Sequence, residues 1–89
     1  MTYNVGGTRV HMSSGHAYNR PHAGGDVSEI ATMQEAENVI LSDINARLQN
    51  GAIENGDYSV FINGRELIYR IRWISAIDSY SVNYFPPIE

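Results

Sequence analysis

Cysteine is absent from this 89-residue chain, which excludes both a disulfide framework and a thiolate metal site. Lysine is absent as well, so all 6 basic side chains are arginines. Every permanent side-chain cation is therefore a planar guanidinium, a group suited to bidentate recognition of phosphate or carboxylate. No apolar run approaches the roughly 20 residues of a membrane span, and no signal peptide is visible at the start. Internal repeats and low-complexity tracts are missing too. What is present is a composition of 43% hydrophobic and 18% charged residues, that of a globular domain. A single domain over residues 1–89 lies near the lower size limit for a self-sufficient core, and that core must hold unaided.

The net charge of −4 is unevenly spread. Residues 1–25 hold Arg9, Arg20 and all three histidines with no acid, whereas residues 26–54 hold six acids and one arginine, Arg47. Residues 55–89 set Arg65, Arg70 and Arg72 against four acids. A basic N-terminal segment next to an acidic middle is either compositional drift or a divided electrostatic surface.

The acidic middle reads as a helix. In "IATMQEAENVILSDINARLQNG", Ile30, Met33, Val39, Ile40, Ile44 and Leu48 recur at helical spacing. Thr32 with Glu35 three residues later forms a capping box, and Gly51 stands where a glycine ends a helix. The spacing predicts a helix over 32–49 whose other face, with Glu35, Glu37, Asn38 and Asp43, is solvated.

Beyond it the period changes to two. "DYSVFINGRELIYRIRWI" holds two strand-like runs around Asn63-Gly64, a strong short-range hairpin signal. A third run, "SYSVNYF", is stopped by Pro86-Pro87, and together the runs predict an antiparallel meander over 57–85. In the second run Leu67, Tyr69, Ile71 and Trp73 share the expected core face, while Ile68, Arg70, Arg72 and Ile74 share the other. Arg70 and Arg72 are then either ordinary solvent-facing residues or a cationic surface for an anionic ligand. The expected architecture is α+β. One main amphipathic helix, with a short N-terminal helical segment, packs on a three- or four-stranded antiparallel sheet.

Residues 1–31 punctuate differently. "TRVHMS" fits a short edge strand or the lead into a helix, and Ser13 or Ser14 fits the cap of a short helical turn through Asn19. Pro21 disfavours helix at Arg20, and the double glycines at 6–7 and 24–25 mark joints. His16 and Arg20, four residues apart, share a face in a helix or in a strand; His22 joins them only if the chain extends or turns back after Pro21. Two histidines can divide base and acid roles at neutral pH, and an arginine between them can stabilise a phosphorane-like charge. That set suffices in principle for metal-free RNA cleavage. The plainer readings are surface loop residues or a zinc site, although the spacings of five and six between His11, His16 and His22 match no common zinc motif. No glycine-rich nucleotide-binding pattern is present.

The stretch "SGHAYNRPH" resembles the Ser-Gly-His-Ala-Tyr-x-Lys-His segment of colicin D-like toxins, tRNA-cleaving nucleases of the broad barnase/EndoU/RelE-like group. The likeness continues in order through "TMQEAENVI", "NGRELIYR" and "YSVNYFPP". It implies a ribonuclease domain that cleaves tRNA by transesterification to a 2′,3′-cyclic phosphate, with neither cofactor nor metal. Domains of that kind are C-terminal payloads of secreted polymorphic or contact-dependent inhibition toxins. The resemblance therefore implies a monomeric effector in the target-cell cytoplasm, neutralised by a cognate immunity protein. Carried over, His16 matches the first motif histidine, Arg20 the lysine, and His22 the second histidine with Pro21 inserted before it. By implication His16, His22 and Arg20 are catalytic, while Tyr18, Arg70, Arg72, Ser81, Asn83 and Tyr84 contact substrate. Two other classes compete: a binding module, such as an immunity protein presenting the acidic helix, and a small assembly protein using "YFPP" and a sheet edge.

Overall fold

The computed structural model describes residues 1–88. Five strands form one sheet: β1 (Thr2–Val5), β2 (Thr8–Met12), β3 (Gly56–Ile62), β4 (Arg65–Ile74) and β5 (Ser79–Phe85). Their spatial order is β1-β2-β5-β4-β3, and every pairing is antiparallel except β2 with β5, which is parallel. Two helices interrupt the strands, α1 (Ser14–Ala17) and α2 (Met33–Gln49). Among the described residues, no helix is long and apolar enough to cross a membrane.

The α+β class and the single main helix agree with expectation, but the sheet has five strands and is mixed. The additional pair comes from "TYNVGGTRVHM", where Gly6 and Gly7 take φ of 58° and 86°. A two-residue turn with both φ values positive matches the strand twist, so this double glycine closes a hairpin instead of loosening a joint. Val5, Val10 and Met12 then alternate into the core. "TRVHMS" becomes an interior strand, because β5 adds to its free edge.

The later elements follow the local signals closely. Thr32 accepts the Glu35 backbone N–H while the Glu35 carboxylate accepts the Thr32 N–H, which completes the capping box of α2. Asn63 and Gly64 take φ of 54° and 77°, again a tight hairpin turn, now between β3 and β4.

Ala36, Ile40 and Ile44 of α2 are fully buried with Val10, Met12, Leu67, Tyr69, Ile71, Val82 and Tyr84 of the sheet. Helix stripe against alternating strand residues is the layer arrangement that the two periodicities require. Trp73 departs from the expected core set. It lies at the end of β4, remains 42% exposed, and rests edge-on against Tyr80 with ring centroids 5.0 Å apart.

The helix acids depart further from expectation. Glu37, expected on the solvated face, is only 4% exposed. Its Oε2 accepts hydroxyls from Tyr84 and Ser14, each at 2.6 Å, and Oε1 accepts the Tyr3 hydroxyl at 3.2 Å. Asp43 is half-buried, accepting the Tyr69 hydroxyl at 2.6 Å and Arg47 Nε at 2.8 Å. The helix therefore presents fewer free carboxylates than its sequence suggests. One carboxylate joins α2 to β1, α1 and β5; the other joins it to β4.

Candidate functional site: the open face of the sheet

Strand alternation fixes what the uncovered side of the sheet displays. Register pairs Arg70 with Asp57 on one side and Asn83 on the other, and pairs Arg72 with Ser81, which in turn lies beside His11. These side chains point away from α2 because Tyr69, Ile71, Val82 and Tyr84, their alternating neighbours, are buried under it.

A cleft of about 530 Å³ occupies one end of this face, lined by His22, Asp57, Ile68, Arg70, Asn83 and Phe85. Arg70 grips Asp57 with two parallel bonds, Nε to Oδ1 at 2.8 Å and Nη2 to Oδ2 at 3.0 Å. Its guanidinium carbon also stands 5.2 Å from the centroid of the Phe85 ring. The hydrogen bond from Arg70 is the main reason the Asp57 carboxyl titrates below its ordinary 3.8, so it is ionised at neutral pH. Nη1 of Arg70 takes no part in that grip, and it remains available to an anion.

His22 reaches the cleft by the turn that the proline forces. After Pro21 the chain doubles back, and the Gly25 N–H donates to the His22 carbonyl at 3.0 Å. His22 Nε2 lies 2.6 Å from the Ala17 carbonyl oxygen. A carbonyl only accepts, so Nε2 carries a proton and Nδ1 is the ring nitrogen without a protein partner among the described residues. The ring also tilts against Phe85, with centroids 6.2 Å apart. Behind it Gly24 presses on the C-terminal strand exit: a β-carbon there would meet Pro87 O at 2.3 Å and Pro86 O at 2.6 Å. Only glycine lets the turn sit so close.

Of the residues singled out in the sequence, the cleft gathers His22, Arg70 and Asn83. Arg72 and Ser81 lie one step further along the same face. His16 and Arg20 are exposed, on α1 and just before Pro21, and neither lines the cleft. His16 adjoins Ala17, whose carbonyl holds His22. Tyr18 donates to the Ala31 carbonyl at 3.0 Å and is half-buried. Tyr84 faces α2, on the opposite side of the sheet from the cleft, where burial first and the bond to Glu37 next push its phenol well above the ordinary 10.0.

Sequence reasoning passed over Asp57, Phe85 and Gly24. Asp57 was recoverable: a two-residue turn at Asn63-Gly64 mirrors residues about itself and sets Asp57 opposite Arg70. Gly24 was not, since nothing local reveals that its neighbour is the backbone of Pro86 and Pro87.

Compared with family models, with curated proteins and with solved structures, the chain matches none of them.

Proposed function

We propose that this domain is a toxin-type, metal-free endoribonuclease acting on tRNA, with its active site in the cleft on the open face of the sheet. One observation carries the reading: an imidazole, a guanidinium, a carboxylate and an amide line a single cleft beside an aromatic ring. Cleavage of RNA by its own 2′-hydroxyl needs a proton acceptor, a holder for the phosphate and a proton donor. Asp57, kept ionised by Arg70, takes the 2′-hydroxyl proton. The freed oxygen attacks the adjacent phosphorus while Arg70 Nη1 and Asn83 hold the non-bridging oxygens. Protonated His22 gives its Nδ1 proton to the departing 5′-oxygen, which leaves a 2′,3′-cyclic phosphate. His16 and Arg20 lie outside the cleft and are given no part in the chemistry. The acidic helix lies behind the sheet, and on the open face Asp57 is paired with Arg70, so much of the net charge of −4 is turned away from RNA there or neutralised.

The buried position of Glu37 also argues against the immunity-protein alternative, because that carboxylate is committed to three hydroxyls instead of a partner. Incubation of the folded protein with total tRNA in EDTA tests the reading. Fragments ending in cyclic phosphate are expected; intact tRNA throughout the pH range would sink it.

A further inference from the structure

We infer that the row Arg72–Ser81–His11–Thr2, one step from the cleft, is a second phosphate subsite, so the substrate is an extended single strand held at two successive phosphates. The inference rests on the cleft being the site of RNA cleavage, and it adds His11 and Thr2 to the residues that meet RNA.

Register builds the row across four strands: Arg72 of β4 pairs with Ser81 of β5, Ser81 with His11 of β2, and His11 with Thr2 of β1. Strands lie roughly 4.8 Å apart, so Arg72 and His11 straddle Ser81 at about twice that spacing. One phosphate above the Ser81 hydroxyl is then within reach of a long guanidinium from one side and an imidazole from the other. Thr2 Oγ1 lies 3.3 Å from His11 Nδ1, which orients the ring and leaves Nε2 to the ligand.

The two arginines of β4 differ in a way that suits this division. Arg70 is already paired to Asp57, whereas Arg72 is exposed and has no ion pair among the described residues. The open-face residues of β1, β2 and β5 include no carboxylate: they are Thr2 and Asn4, Arg9 and His11, and Ser81, Asn83 and Phe85, with Ser79 on the same side but buried. Along β4 the step from Arg70 to Arg72 is two residues, roughly 6.6 Å, comparable with the separation of neighbouring phosphates in an extended strand.

The test uses 2′-O-methyl RNA oligomers, which bind but cannot be cleaved, so its outcome is independent of whether any RNA is cut. In the parent protein a trinucleotide with two phosphodiesters is expected to bind about tenfold tighter than the dinucleotide with one, as befits a charged hydrogen bond. Arg72→Ala is expected to erase most of that gain and to lower the salt slope of oligomer binding by about one. His11→Gln is expected to reduce the gain by a smaller factor. A parent protein that gains nothing from the second phosphate, or variants that keep the whole gain, would overturn the subsite. Loss of tRNA cleavage by the parent with the gain intact would instead overturn the catalytic reading alone.

Discussion

On the face covered by α2, the buried charge of Glu37 is met by the neutral hydroxyls of Tyr84, Ser14 and Tyr3, and the half-buried Asp43 by the Tyr69 hydroxyl together with Arg47 of its own helix. On the open face, charge is met by charge, in the exposed Arg70–Asp57 pair, or left to solvent, as at Arg72. The same strands supply both faces by alternation, so Tyr69 and Tyr84 serve the fold while Arg70 and Asn83 stand ready for a ligand. Burial is concentrated on the first face and the proposed binding site lies on the second, so the two should respond to mutation separately.

The largest effect on stability is expected on the covered face. Ile40 is fully buried, and Ile40→Ala should cost about 3 kcal/mol, read as the urea midpoint at constant slope. The matching truncation on the open face, Arg72→Ala, should stay within about 0.5 kcal/mol. A comparable loss at both positions would break the division. Glu37→Ala should cost about 2–3 kcal/mol, because it leaves buried hydroxyls of Tyr84 and Ser14 without an acceptor. Gly24→Ala should cost about 1–2 kcal/mol by driving the His22 turn off Pro86 and Pro87, and cleavage should fall with it.

Alkaline pH sharpens the same contrast. Burial, followed by the bonds to Asp43 and Glu37, raises the phenols of Tyr69 and Tyr84 above their ordinary 10.0. The folded state thus holds these protons more tightly than the unfolded chain. Their contribution is complete below about pH 10 and is lost as pH rises beyond it. Urea melts should show a decline above that pH, and a Tyr69→Phe, Tyr84→Phe double variant should lack most of it. At the acid end the Asp57–Arg70 pair acts in the opposite sense. Its contribution is present above the ordinary carboxyl value of 3.8 and lost as pH falls through the lower folded value. Both partners are about half exposed, so Asp57→Asn should cost only a few tenths of a kcal/mol in stability.

How much of this was legible depends on the distance over which each signal acts. The capping box of Thr32 and Glu35, the Asn63-Gly64 turn and the alternation of β4 as far as Ile71 are all local, and each appears where its residues indicate. Glu37 shows the limit of periodicity. Helical spacing grouped it with exposed acids, and only the approach of Tyr3, Ser14 and Tyr84 from three other segments gives it a reason to be buried. The parallel pairing of β2 with β5 joins residues some 70 positions apart, and nothing in either strand announces it. For the site, His22 and Arg70 could be named from the sequence, but their meeting depends on the Pro21 turn packing against Phe85. That long-range contact, rather than helical spacing with His16, brings His22 into the cleft.

The most direct test of the account is cleavage of tRNA in EDTA by His22→Ala, set beside its melting temperature. The expected result is a rate at least about 100-fold below the parent, as for loss of a general acid, with the melting temperature shifted by no more than a few degrees. A folded His22→Ala protein that cleaves at the parental rate would contradict it.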